Sequence, residues 1–263
     1  MRMENIPGVP DFDQEAFAPK SSRWCLLIPV INEGGRLLSE LARAQAAGVD
    51  RLCDIILCDG GSTDGSTDPG RLSALGVNTL LVKRGPGRQG AQLRTGLWLA
   101  RQRGYDGVLT IDGNNKDSIE DVPRFLEKLE QGYDFVQGSR FVRGGRAVNT
   151  PLIRWLSVRL IHAPIISLTA HRRFTDTTNN FRAYSAAYLN HPAVQPLREV
   201  FSGYELLAYL SVRAGQLGLR CCEVPVTRAY PKGEKTPTKI SFFKGNGQLL
   251  KILFTNLRGG YTP

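Results

Sequence analysis

The sequence predicts an α/β fold with a mostly parallel central sheet, because apolar runs of strand length alternate along the chain with helical stretches. Parallel neighbouring strands need crossover connections, and this alternation supplies them. The chain has 263 residues, enough to bury a substantial core, and a hydrophobic fraction of 41%, which is typical of a globular protein. We therefore expect one large domain.

The elements follow from the pattern in chain order. We expect a flexible, Pro-interrupted leader over residues 1–22, a globular domain over residues 23–240 and a basic amphipathic segment over residues 241–263. Buried strands are predicted over residues 24–30, 54–58, 79–82, 108–111, 133–137 and 219–226. Helices are predicted over residues 36–47, 91–101, 121–130, 201–214 and 242–257.

The net charge of +10 is concentrated in one part of the chain. Residues 137–175 contain seven arginines and no acidic residue. Such a block predicts an anionic partner, which can be a phosphate group, an anionic lipid or nucleic acid. No aromatic–basic motif of the kinds that read nucleic acid occurs in the sequence, so we expect no nucleic-acid partner.

Cysteines and apolar runs indicate the compartment. The five cysteines show no metal-ligand spacing, and we expect them to be reduced thiols. The longest apolar runs are shorter than the roughly 20 residues that cross a bilayer, and residues 1–20 do not have the pattern of a signal peptide. We therefore expect a cytoplasmic protein.

Two carboxylates, Asp59 and Asp112, follow predicted strands directly. If these strands are parallel, both side chains lie at the carboxyl edge of the sheet, where open α/β sheets bind ligands. The segment that begins at Asp112 is rich in Asp and Asn oxygens, which suit Mg²⁺ or Mn²⁺, although the same residues are also ordinary turn formers. The glycine fingerprints of dinucleotide enzymes and P-loop kinases do not occur, which argues against both classes.

Five segments in order resemble family 2 glycosyltransferases: residues 28–33, 58–66, 112–117, 138–145 and 176–182. Over about residues 24–240 the chain is most similar to the polyprenyl-phosphate sugar transferases typified by dolichyl-phosphate mannosyltransferase. The resemblance implies a GT-A (Rossmann-like) nucleotide-diphospho-sugar transferase fold. It also implies a nucleoside-diphosphate sugar donor, a divalent cation (Mg²⁺ or Mn²⁺) and inversion at the anomeric carbon.

The resemblance assigns a nucleoside pocket and a metal motif. Pro29, Asn32 and Glu33 would line the pocket, and Asp59 would contact the base. Asp112 and Asn114 fall at the family's Asp-x-Asp metal motif.

The metal motif departs from the family's pattern. Asn114 replaces the second carboxylate, and Lys116 stands where lipid-linked members usually have Gln. An amide oxygen can still ligate Mg²⁺, but the site carries less negative charge. Asp117 can compensate, or Lys116 can replace part of the charge of the metal.

The resemblance also assigns the reacting groups. The leaving diphosphate needs a cation or fixed donors, and Arg228 and Lys239 resemble the family's mobile loop over it. The acceptor phosphate would be held by Ser139, Arg140 and Arg154, since forked guanidiniums suit phosphate oxygens. Asp176 lies in the segment near the donor sugar, and with Asp112, Arg140, Arg228 and Lys239 it completes the predicted catalytic set.

The sequence allows two classes of acceptor. A polyprenyl phosphate is already ionised near pH 7 and needs no general base, whereas a saccharide hydroxyl in polysaccharide or glycan assembly needs one, either Glu205 or Asp176. The arginine block favours the phosphate. Residues 161–168 and 242–257 can then contact an anionic membrane peripherally, on its cytoplasmic face.

Overall fold

The computed structural model describes residues 1–231 and 242–263, and side chains within 1–231 and 247–263. The strands are β1 Arg2–Met3, β2 Phe12–Ala16, β3 Trp24–Val30, β4 Asp54–Asp59, β5 Val77–Lys83, β6 Gly107–Thr110, β7 Phe135–Ser139, β8 Arg146–Val148, β9 Arg182–Ser185, β10 Cys221–Pro225 and β11 Thr227–Ala229. The helices are α1 Gly35–Ala46, α2 Val49–Leu52, α3 Pro69–Ala74, α4 Gln89–Gln102, α5 Val122–Glu130, α6 Leu152–Ser157, α7 Ala163–Thr169, α8 Ala186–Leu189, α9 Glu205–Gln216 and α10 Phe242–Leu257.

Within the described residues, nine strands form one sheet in the order β1-β2-β5-β4-β3-β6-β9-β7-β10, and β8 and β11 form a second, two-stranded sheet. The central strands β5, β4, β3 and β6 are parallel, as predicted. Val30 pairs with Asp59, and Leu27 pairs with Thr110, so β3, β4 and β6 end at one edge. The prediction that Asp59 and Asp112 reach the same edge of the sheet is confirmed.

The central strands are apolar throughout because both faces of the sheet are covered. On one face Leu27 packs in a cluster with Leu93 and Leu97 of α4. On the other face Leu26 packs in a cluster that includes Leu37 of α1. A strand that is buried on both faces carries a continuous run of apolar residues instead of alternating apolar and polar ones. This run marks both ends of β3, so the strand was predicted at its observed bounds.

Strand β9 was not predicted. It lies antiparallel between β6 and β7, where its Arg182 is 1% exposed. Arg182 donates to the carbonyls of Asn179 and Leu207 and to the Ser211 hydroxyl, which lie 3, 25 and 29 positions away in sequence. A strand that begins with a buried arginine depends on such tertiary partners, so no local pattern identifies it.

The leader was predicted to be flexible, and the structure corrects this. Strand β2 pairs antiparallel with β5, and β1 pairs with β2, so the leader forms an edge of the sheet. Phe12 is fully buried, and its ring lies edge-on to Trp98 at a centroid distance of 5.7 Å. The remaining β2 residues are partly or fully exposed, which gave the segment the polar composition of a loop.

Helices α6 and α7 join through a π-helical turn, Val158–His162, into one run, Leu152–Thr169. Among the described residues, this is the one helix long and apolar enough to cross a membrane by length and composition, and 22% of it is buried. The sequence analysis found no such span because Arg154 and Arg159 interrupt the apolar run. Helix α10 has its predicted bounds and packs against α7 and α9.

Candidate active site

Hydrogen bonds join the loops after β3 and β4 at the carboxyl edge of the sheet. Asn32 Oδ1 accepts a hydrogen bond from the Thr63 amide at 2.8 Å, and the Asn32 amide donates to Ser62 Oγ at 2.9 Å. Asn32 is exposed and Glu33 is half-buried, so both can face a ligand, whereas Pro29 is buried within β3. The two loops form a hydrogen-bonded rim that carries Asn32 and Glu33, two of the residues predicted to line the nucleoside pocket.

Asp59 shapes this rim. It is 1% exposed, and each carboxylate oxygen accepts a hydrogen bond from the Ser62 amide at 3.0 Å. Its neighbour Gly60 leaves no space for a side chain, because an added Cβ would lie 2.7 Å from Gln92 Nε2. Gln92 in turn donates to the Val30 carbonyl at 2.5 Å. Asp59 therefore closes the turn, and its contact with a base stays a prediction.

Asp112 lies just after β6 and meets a cation. Its Oδ1 accepts from Gln89 Nε2 at 2.9 Å, and its Oδ2 pairs with Arg228 Nη2 at 3.1 Å. The other Arg228 nitrogen, Nη1, binds Asp117 Oδ2. The side chains of Arg228 and Asp117 are 7% and 0% exposed. One buried guanidinium thus bridges two carboxylates, as forked donors favour.

The electrostatics follow from this arrangement. Burial disfavours the charged form of Asp112, but Arg228 and Lys116 outweigh it and hold the pKa of Asp112 below its usual value. Burial raises the pKa of Asp117 to about 6, with Arg228 opposing the rise. Burial also opposes the charge on Arg228, yet Asp117 and Asp112 raise the pKa of its guanidinium, which keeps it protonated.

Three cationic side chains lie close to the aromatic ring of Tyr230. Its ring centroid lies 5.4 Å from Lys116 Nζ, 5.7 Å from the Arg154 guanidinium carbon and 5.9 Å from that of Arg228. Arg154 Nη1 also donates to the Tyr230 hydroxyl at 3.2 Å. The electron-rich ring face offsets part of the repulsion among these cations. We call Tyr230, Lys116, Arg154 and Arg228 the cation cluster, and its positive charge suits an anionic ligand.

Helix α1 holds the loop after Asp112 in place. Glu40 accepts from the Asn115 amide at 2.8 Å, and Arg43 donates to the Asn115 side chain at 2.7 Å. Burial raises the pKa of Glu40 well above its usual value. Gly113 has no room for a side chain, because a Cβ would lie 2.4 Å from Val30 Cγ1.

The donor set at Asp112 does not fit a divalent cation. Asn114, whose buried Oδ1 has no hydrogen-bond partner within the described residues, offers a neutral oxygen in place of a second carboxylate. Both Asp112 oxygens are already engaged, and Lys116 and Arg228 add fixed positive charge beside it. In the part of the chain that the structure describes, no three His, Cys, Asp or Glu side chains gather to hold a metal.

Ser139, Arg140 and Asp176 are buried and bound to other side chains, and their predicted roles at the acceptor phosphate and the donor sugar stay predictions. Ser139 is fully buried, with Oγ 2.6 Å from Thr175 Oγ1. Arg140 Nε and Nη2 bind the two Asp176 oxygens at 2.6 and 2.8 Å, with side chains 1% and 0% exposed. Because both side chains are closed off from solvent and bound to each other, neither is open to a ligand in this structure. Arg228 differs in this respect, because its partner Asp112 is 20% exposed.

Three predicted residues remain: Arg154, Glu205 and Lys239. Arg154 is half-buried and joins the cation cluster. Glu205 begins α9, where its Oε2 accepts from the Gly203 amide at 2.6 Å. Lys239 lies outside the described residues.

Gln89 and Tyr230 were not predicted as site residues. Gln89 is the first residue of α4, and nothing in its local sequence indicates that it reaches Asp112. Tyr230 lies two positions after Arg228, in a segment whose basic residues had been noted, so the neighbouring aromatic was a usable signal.

The chain is similar to known proteins over most of its length. The model of the family described as Glycosyl transferase family 2 matches residues 25–197. The undecaprenyl-phosphate mannosyltransferase of Micrococcus luteus is 31% identical over 212 residues, covering 78% of this chain and 83% of that protein. The polyprenol monophosphomannose synthase of Mycolicibacterium smegmatis is 25% identical, covering 91% of this chain and 89% of that protein.

A solved structure is similar across most of the chain. It is the glucosyl-3-phosphoglycerate synthase of Mycobacterium tuberculosis in complex with Mn²⁺, uridine diphosphate and phosphoglyceric acid. The TM-score is 0.63 at 19% identity, covering 91% of this chain and 79% of that one. At this identity the likeness establishes the fold.

The first prediction concerns the buried pair of Arg140 and Asp176. Asp176→Asn leaves an uncompensated buried guanidinium, so the free energy of unfolding should fall by about 3 kcal/mol in urea titrations. Asp106→Asn is the matched control, since Asp106 pairs with Arg23 where the side chains are 52% and 60% exposed. The control should change stability by less than about 1 kcal/mol. Equal stability of the two variants, with turnover lost only in Asp176→Asn, would instead favour a general base.

Proposed function

Because the chain belongs to glycosyl transferase family 2, we propose that it transfers a sugar from a nucleoside-diphosphate sugar to a polyprenyl phosphate, with inversion at the anomeric carbon. It is a glycosyltransferase with the predicted GT-A fold. The name of its Micrococcus relative specifies undecaprenyl phosphate, and that of its Mycolicibacterium relative specifies polyprenol monophosphomannose. That acceptor class supports the proposal for this chain.

One observation carries the choice of acceptor: the cation cluster adjoins an exposed apolar helix. Arg154, on α6, reaches into the cluster through Tyr230. Leu152 and Ile153 on the same helix are 70% and 60% exposed, and Leu160 beyond them is 68% exposed. A ligand with an anionic head and an apolar tail matches both features, since the head meets the cations while the tail covers apolar surface.

The chemistry needs no general base. An oxygen of the acceptor phosphate attacks the anomeric carbon, and the bond from that carbon to the donor diphosphate breaks. The electron pair leaves with the nucleoside diphosphate, and no proton must be removed from the nucleophile. Asp176 and Glu205, the two base candidates for a saccharide hydroxyl acceptor, are both engaged in hydrogen bonds, which favours the phosphate acceptor.

We assign the donor to the rim formed by the loops after β3 and β4. Asn32 and Glu33 would face the nucleoside, with Pro29 and Asp59 holding the rim from behind. Arg228 would contact the diphosphate from the opposite side of the pocket, where it already lies beside Asp112. Fixed cations at this position stabilise the charge that develops on the leaving group.

Magnesium or manganese is the cofactor that the resemblance predicts, and the solved neighbour contains Mn²⁺ beside uridine diphosphate. In this chain Asp112 and Asn114 occupy the motif, and their surroundings do not suit a divalent cation for the reasons given above. The proposed transfer therefore includes no step that depends on a metal.

We further propose that the chain contacts an anionic membrane peripherally. Seven large apolar side chains of the run Leu152–Thr169 are exposed: Leu152, Ile153, Trp155, Leu156, Leu160, Ile161 and Leu168. Helix α10, packed beside α7, adds exposed Leu250, Phe254 and Leu257. Arg159 lies among these residues, and each basic side chain near an anionic surface contributes about 1 kcal/mol.

The second prediction tests the acceptor. Purified protein incubated with radiolabelled nucleotide sugars and polyprenyl phosphate should produce label that is extracted into organic solvent. Arg154→Gln should lower the kcat/KM for polyprenyl phosphate by about tenfold, because a charge-assisted contact to phosphate is lost. Arg101→Gln, an exposed change on α4, should leave it within about twofold. Label found only in water-soluble glycans would reject the lipid acceptor.

The third prediction tests membrane contact by flotation with phosphatidylglycerol vesicles. The wild type should float at low salt, and Leu160→Glu should remove most of the floated protein, because it places a charge on the apolar face. Leu52→Glu is the matched control, since Leu52 is 40% exposed at the end of α2, near the amino edge of the sheet. Equal flotation of the wild type and both variants would contradict the assigned surface.

A further inference from the structure

The charges around Asp112 balance within the chain itself. Asp112 and Asp117 share the guanidinium of Arg228, and Lys116 acts on the same Asp112 carboxylate. Two carboxylates are thus matched by two fixed cations. Carboxylates that gather to hold a metal repel one another until the metal arrives, and here that repulsion is already offset.

Both departures from the family's metal motif make the site more positive. Asn114 removes one negative charge from the family's Asp-x-Asp pattern, and Lys116 adds one positive charge at the position where lipid-linked members usually have Gln. Together the two residues make the site more positive by two charges. This equals the charge of one divalent cation.

Lys116 is also fixed in place. It is 6% exposed, and its carbonyl accepts a hydrogen bond from the Ala229 amide at 2.8 Å, which ties it to the strand that carries Arg228. The antiparallel bridge between Asp117 and Arg228 joins the same two segments. Tyr230 then holds the Lys116 ammonium and the Arg228 guanidinium near one ring. The two cations are preorganised as a pair rather than scattered on a mobile surface.

We propose that Lys116 is a catalytic residue which, together with Arg228, meets the negative charge of the departing diphosphate, so that sugar transfer proceeds without a divalent cation. This inference rests on the proposed function. The bond from the acceptor phosphate oxygen to the anomeric carbon forms as the bond from that carbon to the diphosphate breaks. The released electron pair stays on the diphosphate oxygen, to which Lys116 and Arg228 donate hydrogen bonds. No proton is transferred, and no further reactant is consumed.

The experiment measures binding of uridine and guanosine diphosphates by calorimetry, first with a chelator and then with Mn²⁺, alongside the sugar-transfer rate. For the wild type, the affinity of the better nucleotide and the rate should differ by less than about twofold between the two conditions. Lys116→Gln should weaken binding in chelator by about tenfold, as expected for loss of one charge-assisted contact. Lys116→Arg, which keeps the charge, should recover most of the affinity. Lys128→Gln, a lysine on α5 away from the pocket, is the matched control and should bind like the wild type.

A second readout uses the metal alone. Titrated with Mn²⁺ and followed by electron paramagnetic resonance, the wild type should show no immobilised ion, whereas the Asn114→Asp/Lys116→Gln double variant, which restores the family's pattern, should show one. An affinity and rate in the wild type that fall tenfold or more in chelator would overturn the inference while leaving the proposed function intact. Failure of both nucleotides to bind in either condition would overturn the nucleotide donor and the inference with it.

Discussion

The Arg228 guanidinium, held between Asp112 and Asp117, is the interaction on which the rest of the site depends. It joins the loop after β6 to strand β11, two parts of the chain more than a hundred positions apart. Tyr230 lies two positions after Arg228, just beyond the end of β11, so the same link places its aromatic ring beside Lys116 and Arg154. Removing one partner of such a buried set leaves a charge with no solvent to stabilise it, which makes the whole arrangement interdependent.

The fold explains why this interaction forms where it does. Parallel strands β3, β4 and β6 end at one edge, where open α/β sheets bind ligands in the loops that follow the strands. Glu40 and Arg43 hold the loop after Asp112 through hydrogen bonds to Asn115, and Arg140 and Asp176 pair with each other in the buried interior. The cation cluster adjoins an exposed apolar helix. This combination supports our proposal of a lipid phosphate rather than a sugar hydroxyl as the acceptor.

Much of the fold could be predicted from local sequence. Strand β3 and helix α10 were identified at their observed bounds, because continuous burial and amphipathic periodicity are local signals. The shared edge of Asp59 and Asp112 followed from parallel topology. Strand β9 and the edge strand β2 were not predicted, because their stability comes from neighbouring strands rather than from their own composition.

The site was predicted less completely for a related reason. Asp112, Arg228 and Arg154 were identified, but the sequence does not reveal that Arg140 would turn inward to Asp176, a partner 36 positions away. Nor does the sequence show that three cationic side chains would lie close to the ring of Tyr230. Side-chain pairing over such distances is decided by the packed structure, and a motif at the right position specifies only where the backbone passes.

A double-mutant cycle between Arg228 and Asp117 measures whether the buried ion pair organises the site. The free energies of unfolding of Arg228→Gln, Asp117→Asn and the double variant would be measured in urea beside the wild type. We expect the double variant to be more stable than the sum of the single losses implies, with a coupling energy of about 2–3 kcal/mol. Additive losses, with a coupling energy below about 0.5 kcal/mol, would contradict the claim that this pair organises the site.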